Sequence, residues 1–339
     1  MSVKILNNDL KSGEFSSLYY IYGEEEYLKE FYFSSLKSKA VTQLPEFNII
    51  EFDNKSFNYL DFTNAVNSYP MMSDKKLVSV INFDNSLLKK DFTKQFVEFL
   101  RNIPEFCVVV FFDTSVKETT SSNALEKAVN SADGVSVFVQ KPDTSSLVSW
   151  VARHLKSYNK TASKEDILYL LDISDTDMLT LLGEISKLCN YVENDVITKD
   201  DINKLVTRSI ETNRYGIAEA FCKKDYSKIF DILDKLYKQC VDDIVIANIF
   251  YRAFVDLWKA KLAYKKGKSA ADFARDFKLN SYAATKIYKN LKYVSEKTLE
   301  NAVLLALKLD ADIKSTPFDK RGLIVAFVGE LVSRRDLHG

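Results

Sequence analysis

Short apolar runs alternate with amphipathic segments along the first 140 residues of the chain. A short continuous apolar run predicts a buried strand, and apolar residues that recur about every three or four positions predict a helix. The predicted strands are Ser17–Tyr22, Phe47–Phe52, Leu77–Phe83, Phe106–Asp113 and Val135–Gln140. The helices predicted between them are Glu24–Lys37, Leu60–Ser68, Lys90–Arg101 and Ala124–Asn130. Apolar strands interleaved with amphipathic helices favour a parallel sheet covered on both faces, a layout typical of nucleotide-binding domains.

The strand pattern stops at Lys141-Pro142-Asp143, and helical spacing follows. Residues 141–212 carry short helical stretches, which predict a small bundle. The helices predicted after this bundle are Ile217–Cys222, Tyr226–Gln239, Asp242–Lys265, Ser269–Phe277, Ala283–Asn290, Ser295–Lys314 and Arg321–Leu337. We therefore predict three domains, an α/β domain over residues 1–140, a small all-α domain over 141–212 and a larger all-α domain over 213–339.

Composition excludes several classes of protein. The chain has 339 residues, of which 46% are hydrophobic and 28% charged, and it has 47 basic and 47 acidic residues. Because these charges balance, the chain has no net positive charge that would attract nucleic acid or an acidic membrane. The four cysteines lack metal-ligand spacing, so we expect no metal site, no disulfide framework and a reducing cytoplasm. The first residues lack the apolar segment of a signal peptide, and we expect no membrane insertion.

The turn after the first predicted strand is where a nucleotide-binding domain would hold phosphate. In a phosphate loop this turn reads GxxxxGK[ST], and its backbone N–H groups and lysine surround the phosphates. Here it reads Gly23-Glu24-Glu25-Glu26, with no second glycine and no Lys-Ser/Thr pair. The three acids complement the helix dipole and would repel a polyphosphate. Asp113 stands where an ATPase would carry a metal-binding acid, but we expect neither bound nucleotide nor ATP hydrolysis.

Positive charge is concentrated in the last predicted domain, which has 24 Lys+Arg and 16 Asp+Glu. The excess is greatest over Lys259–Lys292. Within it, Ser269–Lys292 has the rhythm of a helix-turn-helix with a connection at Lys278-Leu279-Asn280. A DNA-binding protein acting through this region is one hypothesis. A solvated lysine face is the other, and Asp272 and Asp276 within the region favour it.

The segment between the predicted helix Leu60–Ser68 and the strand Leu77–Phe83 is unusually apolar for a loop. Pro70 ends any preceding helix, and two adjacent methionines, Met71 and Met72, follow it. Loops at the end of a domain usually carry polar residues, so exposed methionines here would suggest insertion into another protein's pocket. The alternative is that both side chains fold back into the core.

Five segments in the same order give the chain a family resemblance. They are SLYYIYGEEEYLKE, PMMSDKKLVSV, GEISKLCNYVENDVITKDDINKLV, AFVDLWKAKLAYKKGKSAADFARDFKLN and LDADIKS. Together they resemble the delta subunit of bacterial DNA polymerase III, the clamp-opening member of the clamp loader. The resemblance covers essentially the whole chain.

This resemblance implies a fold and a set of partners. It implies an AAA+-like parallel α/β domain without a phosphate loop, followed by a helical lid domain and a helical collar domain. The implied function is to bind the sliding clamp (beta subunit) and open the ring for loading on primed DNA during replication. The implied partners are the tau/gamma and delta-prime subunits, and primed DNA through the assembled complex. As a subunit of a DNA polymerase holoenzyme, the chain would need no catalytic residue or cofactor of its own.

The resemblance also implies the residues that contact the clamp. In the family, an apolar pair at the tip of the first domain enters a hydrophobic cleft of the clamp, and many members have Pro-Phe-Phe or Leu-Phe there. The matching residues are Pro70, Met71 and Met72. This chain departs from the pattern because neither residue of the pair is aromatic. The contact area with the clamp is therefore smaller, and the preferred geometry of an aromatic contact is lost.

Overall fold

The computed structural model describes residues 2–114, 124–174, 176–277, 281–316 and 319–336. The chain forms two compact units. The first comprises Met1–Val151 and Asp177–Leu179, and the second comprises Ala152–Thr176 and Thr180–Gly339. In the parts of the chain that are described, no helix combines the length and the apolar character needed to cross a membrane.

The first unit is built on a parallel sheet. Its strands are β1 (Leu18–Gly23), β2 (Ile49–Asp53), β3 (Lys76–Ile81), β4 (Cys107–Phe112) and β5 (Val135–Val139). Their order across the sheet is β2-β3-β4-β1-β5, and every neighbouring pair is parallel. The predicted parallel sheet is therefore confirmed, and all five strands begin at one edge of the sheet, here called the amino edge, and end at the opposite carboxyl edge.

Helices cover both faces of this sheet. The helices that begin in this unit are α1 (Ser2–Ser12), α2 (Glu26–Ala40), α3 (Pro45–Asn48), α4 (Tyr59–Asn67), α5 (Lys90–Arg101), α6 (Ala124–Ser131) and α7 (Thr144–Ser157), whose last residues belong to the second unit. One face packs on α1 and α2 through residues such as Leu6 and Phe33. The other face packs on α4, α5 and α6 through residues such as Phe62, Phe96 and Leu125. Burial on both faces explains why β1 and β4 are almost wholly apolar.

Two features of this unit differ from the prediction. The strand predicted over Phe47–Phe52 begins only at Ile49, because Pro45 starts the short helix α3, which includes Phe47 and Asn48. Proline is favoured in the first turn of a helix, where its missing N–H is not needed. Helix α1 was not predicted, because its sequence SVKILNNDLKS is mostly polar and only Leu6 and Leu10 are buried.

The second unit is almost entirely helical. Its helices are α8 (Lys164–Ile173), α9 (Met178–Tyr191), which begins in the first unit, α10 (Lys199–Leu205), α11 (Ile210–Lys223), α12 (Tyr226–Lys238), α13 (Asp243–Lys265), α14 (Ala270–Asp276), α15 (Ser281–Asn290), α16 (Glu296–Ser315) and α17 (Lys320–Asp336). A two-stranded pair, β6 (Thr161–Ala162) and β7 (Val196–Ile197), was not predicted. A large apolar core joins α11 to α17, and the helical character predicted for this part is confirmed. The division of the chain at residues 140 and 212 stays a prediction.

Candidate functional site

Residues 69–75 connect α4 to β3 and form a loop at the amino edge of the sheet, here called the tip loop. Proline at position 70 does not itself end α4, which already stops at Asn67. Ser68 follows in an extended conformation, with its backbone N–H on the carbonyl oxygen of Asn64. The loop contains all three residues predicted to contact a partner.

The two methionine side chains of the tip loop face solvent. Met71 is 51% exposed and Met72 is 80% exposed, whereas Pro70 is partly buried. The alternative that both methionines belong to the core is therefore wrong. Met72 also has a left-handed backbone, with φ of 47°. Methionine rarely adopts this conformation, so the rest of the loop must hold it in place.

Asn48 fixes the backbone of Met71. Its Oδ1 atom accepts a hydrogen bond from the Met71 N–H at 2.7 Å, and its Nδ2 atom donates to the Met71 carbonyl oxygen at 2.9 Å. The same Nδ2 atom also lies 3.1 Å and 3.2 Å from the carbonyl oxygens of Gln43 and Leu44. The tip loop is thus attached to α3, an element 23 positions away in the sequence.

Further contacts hold the two ends of the loop. The buried ammonium group of Lys76 donates to Ser68 and to the carbonyl oxygen of Ala65. The Tyr69 ring packs against Phe106 with centroids 4.9 Å apart. A short loop tied at both ends loses little further conformational entropy when a partner binds it.

Two exposed aromatic residues adjoin residues of this site in the sequence, and neither was predicted as part of it. Phe47, the residue before Asn48, is 58% exposed, and Tyr69 precedes Pro70. Nothing in the sequence around Tyr69 marks it as part of a site. Phe47 was assigned to a strand, and no local pattern connects it with the tip loop.

The carboxyl edge of the sheet contains the turn where a phosphate loop would lie. Gly23 has φ of 130°, and a Cβ atom there would overlap the backbone of Val139. The N–H groups of Glu24 and Glu25 both donate to the Val139 carbonyl oxygen, at 2.8 Å and 3.3 Å. The Glu25 carboxylate accepts from the Tyr27 N–H and caps α2. The amides that would bind phosphate are therefore already used within the chain.

A lysine fills the space beside this turn. Lys29 is 1% exposed, and its ammonium group donates to the carbonyl oxygens of Asp113 and Thr114 at 3.1 Å and 2.9 Å. The Asp113 carboxylate accepts from the Tyr20 hydroxyl at 2.5 Å. Burial lowers the pKa of Lys29 and raises the pKa of both Asp113 and Glu25. The cluster satisfies its own polar groups, whereas an ATPase leaves its acid free to bind a metal ion.

The basic region of the second unit is partly neutralised by ion pairs. Helices α14 and α15 lie where the helix-turn-helix was predicted, and the predicted connection at 278–280 lies outside the described residues. Among the described residues of this region, ion pairs join Lys265 to Glu296, Lys268 to Asp276, Arg275 to Asp272 and Lys286 to Asp172. These pairs favour the interpretation of a solvated charged surface over that of a DNA reader.

Two family profiles match the chain in the expected order. The profile described as DNA polymerase III, delta subunit matches residues 19–137, which contain the sheet and the tip loop. The profile described as DNA polymerase III delta subunit, C-terminal domain matches residues 211–331, which contain the helices from α11 to α17.

Individual relatives agree over most of the chain. The DNA polymerase III subunit delta of Bacillus subtilis is 22% identical over 334 residues, 96% of this chain and 96% of the relative. A probable DNA polymerase III subunit delta of Aquifex aeolicus is 23% identical over 303 residues, 87% of this chain and 85% of the relative. The solved structure of the Bacillus subtilis DNA clamp loader delta protein has a TM-score of 0.67 at 21% identity, covering 98% of this chain and all of that one. The predicted fold class, a parallel-sheet α/β domain followed by helical parts, is confirmed.

Proposed function

The chain belongs to the DNA polymerase III delta subunit family, and on that premise we propose that its tip loop binds the sliding clamp and opens the ring. Met71 and Met72 would enter a hydrophobic cleft of the clamp, with Pro70 shaping the loop. The observation that carries this proposal is the exposure of two adjacent methionines on a loop whose backbone is already fixed.

The chemistry of methionine suits such a contact. Its unbranched, polarizable side chain adapts to irregular apolar clefts, and burying one in a partner contributes roughly 1.5–3 kcal/mol. A fixed loop keeps more of this free energy as affinity, because less is spent on ordering the backbone.

Ring opening then needs no chemistry from this chain. A tip that binds an open form of the clamp more tightly than the closed form shifts the ring toward the open form. Neighbouring subunits would hydrolyse ATP and control whether the tip is accessible, which couples nucleotide state to clamp binding. The occupied phosphate position of Glu24 and Glu25 supports this division of labour.

The three predicted domains would divide the remaining tasks. Residues 1–140 would bind the clamp, residues 141–212 would form the lid, and residues 213–339 would form the collar that joins the tau/gamma and delta-prime subunits. The loader would meet primed DNA as an assembled complex during replication in the cytoplasm.

Direct measurement of clamp affinity tests the proposal. The purified chain is titrated into the sliding clamp of the same organism without nucleotide, and we expect a one-to-one complex. The double variant Met71→Ala with Met72→Ala should bind much more weakly. A matched control is Leu304→Ala with Leu307→Ala, which removes two exposed apolar side chains of α16 and should leave clamp affinity unchanged.

The same purified chain also tests the alternative that the protein binds DNA through a helix-turn-helix. Under that alternative, the chain alone would bind duplex DNA with an affinity that falls steeply with salt, and charge reversal at Lys289 and Lys292 would abolish it. Retention of duplex DNA together with no binding to the clamp would contradict the clamp-loader proposal and favour the DNA-binding one.

A further inference from the structure

We propose that Asn48 is a positioning residue for clamp binding, holding the tip loop in the conformation that the clamp accepts. This inference rests on the proposed function of Met71 and Met72. It adds a residue that lies outside the tip loop, and Asn48 itself need not touch the clamp.

The hydrogen bonds of Asn48 suit this role. The side chain is 1% exposed, and both polar atoms of its amide are used. Oδ1 receives the Met71 N–H, while Nδ2 donates to the Met71 carbonyl oxygen. The two bonds mimic a pair of strand bonds and fix the peptide groups on both sides of Met71.

The anchor for this contact is rigid. Asn48 ends α3, and its own N–H bonds to the carbonyl oxygen of Leu44 at 3.1 Å. The next residue, Ile49, is the first of β2 and pairs with Leu77 of β3. The tip loop is therefore fastened to the sheet at two places, at its own junction with β3 and through Asn48 beside β2.

The backbone of Met72 shows why a fastening is needed. Its left-handed conformation is sterically unfavourable for a residue with a side chain. A free loop would relax away from this conformation, and only the fraction of molecules that keep it would bind without rearrangement. Apparent affinity falls in proportion to that fraction.

A purely structural role for Asn48 makes a different prediction. If Asn48 only stabilised the fold, its loss would lower the melting temperature and leave the affinity of the folded protein unchanged. The test therefore needs a control that destabilises the same domain without releasing the tip loop. Asn58 provides it, because its Oδ1 caps α4 by accepting from the N–H groups of Leu60 and Asp61 at 2.9 Å and 3.3 Å.

The variants for this experiment are Asn48→Ala and Asn58→Ala in the full chain. We expect Asn48→Ala to weaken clamp binding roughly tenfold, as for a loop that keeps the binding conformation about one-tenth of the time. Asn58→Ala should lower the melting temperature and leave clamp affinity within about twofold of the wild-type value.

A second measurement needs no variant. The chain has four methionines, Met1, Met71, Met72 and Met178, so ¹⁵N-methionine labelling gives few backbone amide signals. The Met71 amide donates to Asn48, whereas no hydrogen bond of the Met72 amide is found among the described residues. Hydrogen exchange at Met71 should be slower than at Met72 in the wild type, and it should become fast in Asn48→Ala.

The outcomes separate the two proposals. If the wild type binds, the double methionine variant does not, and Asn48→Ala binds as tightly as wild type, the positioning role is wrong while the clamp contact stands. If Met71 and Met72 exchange equally fast in the wild type, the restraint itself is refuted. If the wild type does not bind the clamp at all, the proposed function fails, and the role of Asn48 in it fails as well.

Discussion

The ammonium group of Lys76 donates hydrogen bonds to both the carbonyl oxygen and the hydroxyl oxygen of Ser68, each at 2.6 Å. These two residues bracket the tip loop, so their contact closes it at its base. Lys76 also donates to the carbonyl oxygen of Ala65 in the last turn of α4. A cation at the C-terminal end of a helix satisfies carbonyl groups that have no partner within the helix and interacts favourably with the helix dipole.

The first prediction concerns the removal of this buried charge. Lys76→Met would leave the carbonyl oxygens of Ala65 and Ser68 without their donor, at a cost of about 1–3 kcal/mol in the free energy of unfolding. Urea denaturation at pH 7 measures the loss. Lys75→Met is the matched control, because it removes a charge from the same loop. Among the described residues, the Lys75 ammonium group donates a single hydrogen bond, at 3.3 Å to the Glu105 carbonyl oxygen. Equal stability of the Lys76 variant and the wild type would contradict this role.

The second prediction is that the stability lost in Lys76→Met depends on pH. Burial lowers the pKa of Lys76 below that of an unfolded lysine. Between these two pKa values the unfolded chain binds more protons than the folded chain, so the Lys76 contribution to stability increases as pH rises through that window. The difference in unfolding free energy between wild type and Lys76→Met should therefore widen from neutral toward alkaline pH. A constant difference would show that folding does not lower the pKa of Lys76.

A third prediction concerns nucleotide binding. We expect no heat of binding when ATP-Mg is titrated into the isolated chain. The triple variant Glu24→Gln, Glu25→Gln and Glu26→Gln removes the repelling charges, but it leaves the Glu24 and Glu25 amides on the Val139 carbonyl oxygen. We expect this variant not to bind either, because the phosphate donors remain occupied. Micromolar binding by the variant alone would mean that charge repulsion is the cause, and binding by the wild type would contradict both explanations.

A fourth prediction concerns assembly with other subunits. Helix α16 packs one face on α13 and α17, while Leu304 and Leu307 lie exposed on another face. Residues three apart on a helix are neighbours, so the two leucines form one apolar surface that association could cover. Leu304→Ser with Leu307→Ser should reduce incorporation into a reconstituted loader while preserving clamp binding. Normal incorporation, measured by size-exclusion chromatography, would contradict a collar contact at this surface.

Much of the fold could be predicted because it depends on local patterns. The strands of the first unit are buried runs such as Cys107–Phe112, and the long helices have regular apolar spacing. The error at Phe47–Phe52 arose because a proline four residues before Ile49 begins a helical turn that takes in the first two residues of the predicted strand. Apolar character alone does not separate a short helix from a strand.

The candidate site was harder to predict. The sequence suggested Pro70, Met71 and Met72, but apolar character alone could not decide between a core and a surface position. Exposure depends on how the tip loop sits at the amino edge of the sheet. The bond between Asn48 and Met71 joins residues far apart in sequence, and nothing in either neighbourhood signals it.

The size of the clamp contact can be estimated from exposure. Met71 is already half buried in the free protein, so Met72 offers more surface to a partner. Replacing both by alanine should cost about 2–4 kcal/mol of binding free energy, or about 30-fold to 1,000-fold in affinity. Met72→Ala alone should have the larger single effect, as measured by calorimetry. The melting temperature should hardly change, and early melting with unchanged affinity would contradict the assignment.

The last prediction uses the backbone of Met72. Glycine adopts a φ near 47° without the steric cost that a side chain incurs, although it also gives the unfolded chain more freedom. These two effects nearly offset each other, so Met72→Gly should change the free energy of unfolding by less than about 1 kcal/mol. The same change removes the whole side chain from the proposed contact, which should weaken clamp binding by about 10-fold to 150-fold. This one variant should therefore lose clamp affinity while its stability stays nearly unchanged. A drop in stability of several kcal/mol would mean that the Met72 side chain supports the fold, and an unchanged affinity would mean that it does not reach the clamp.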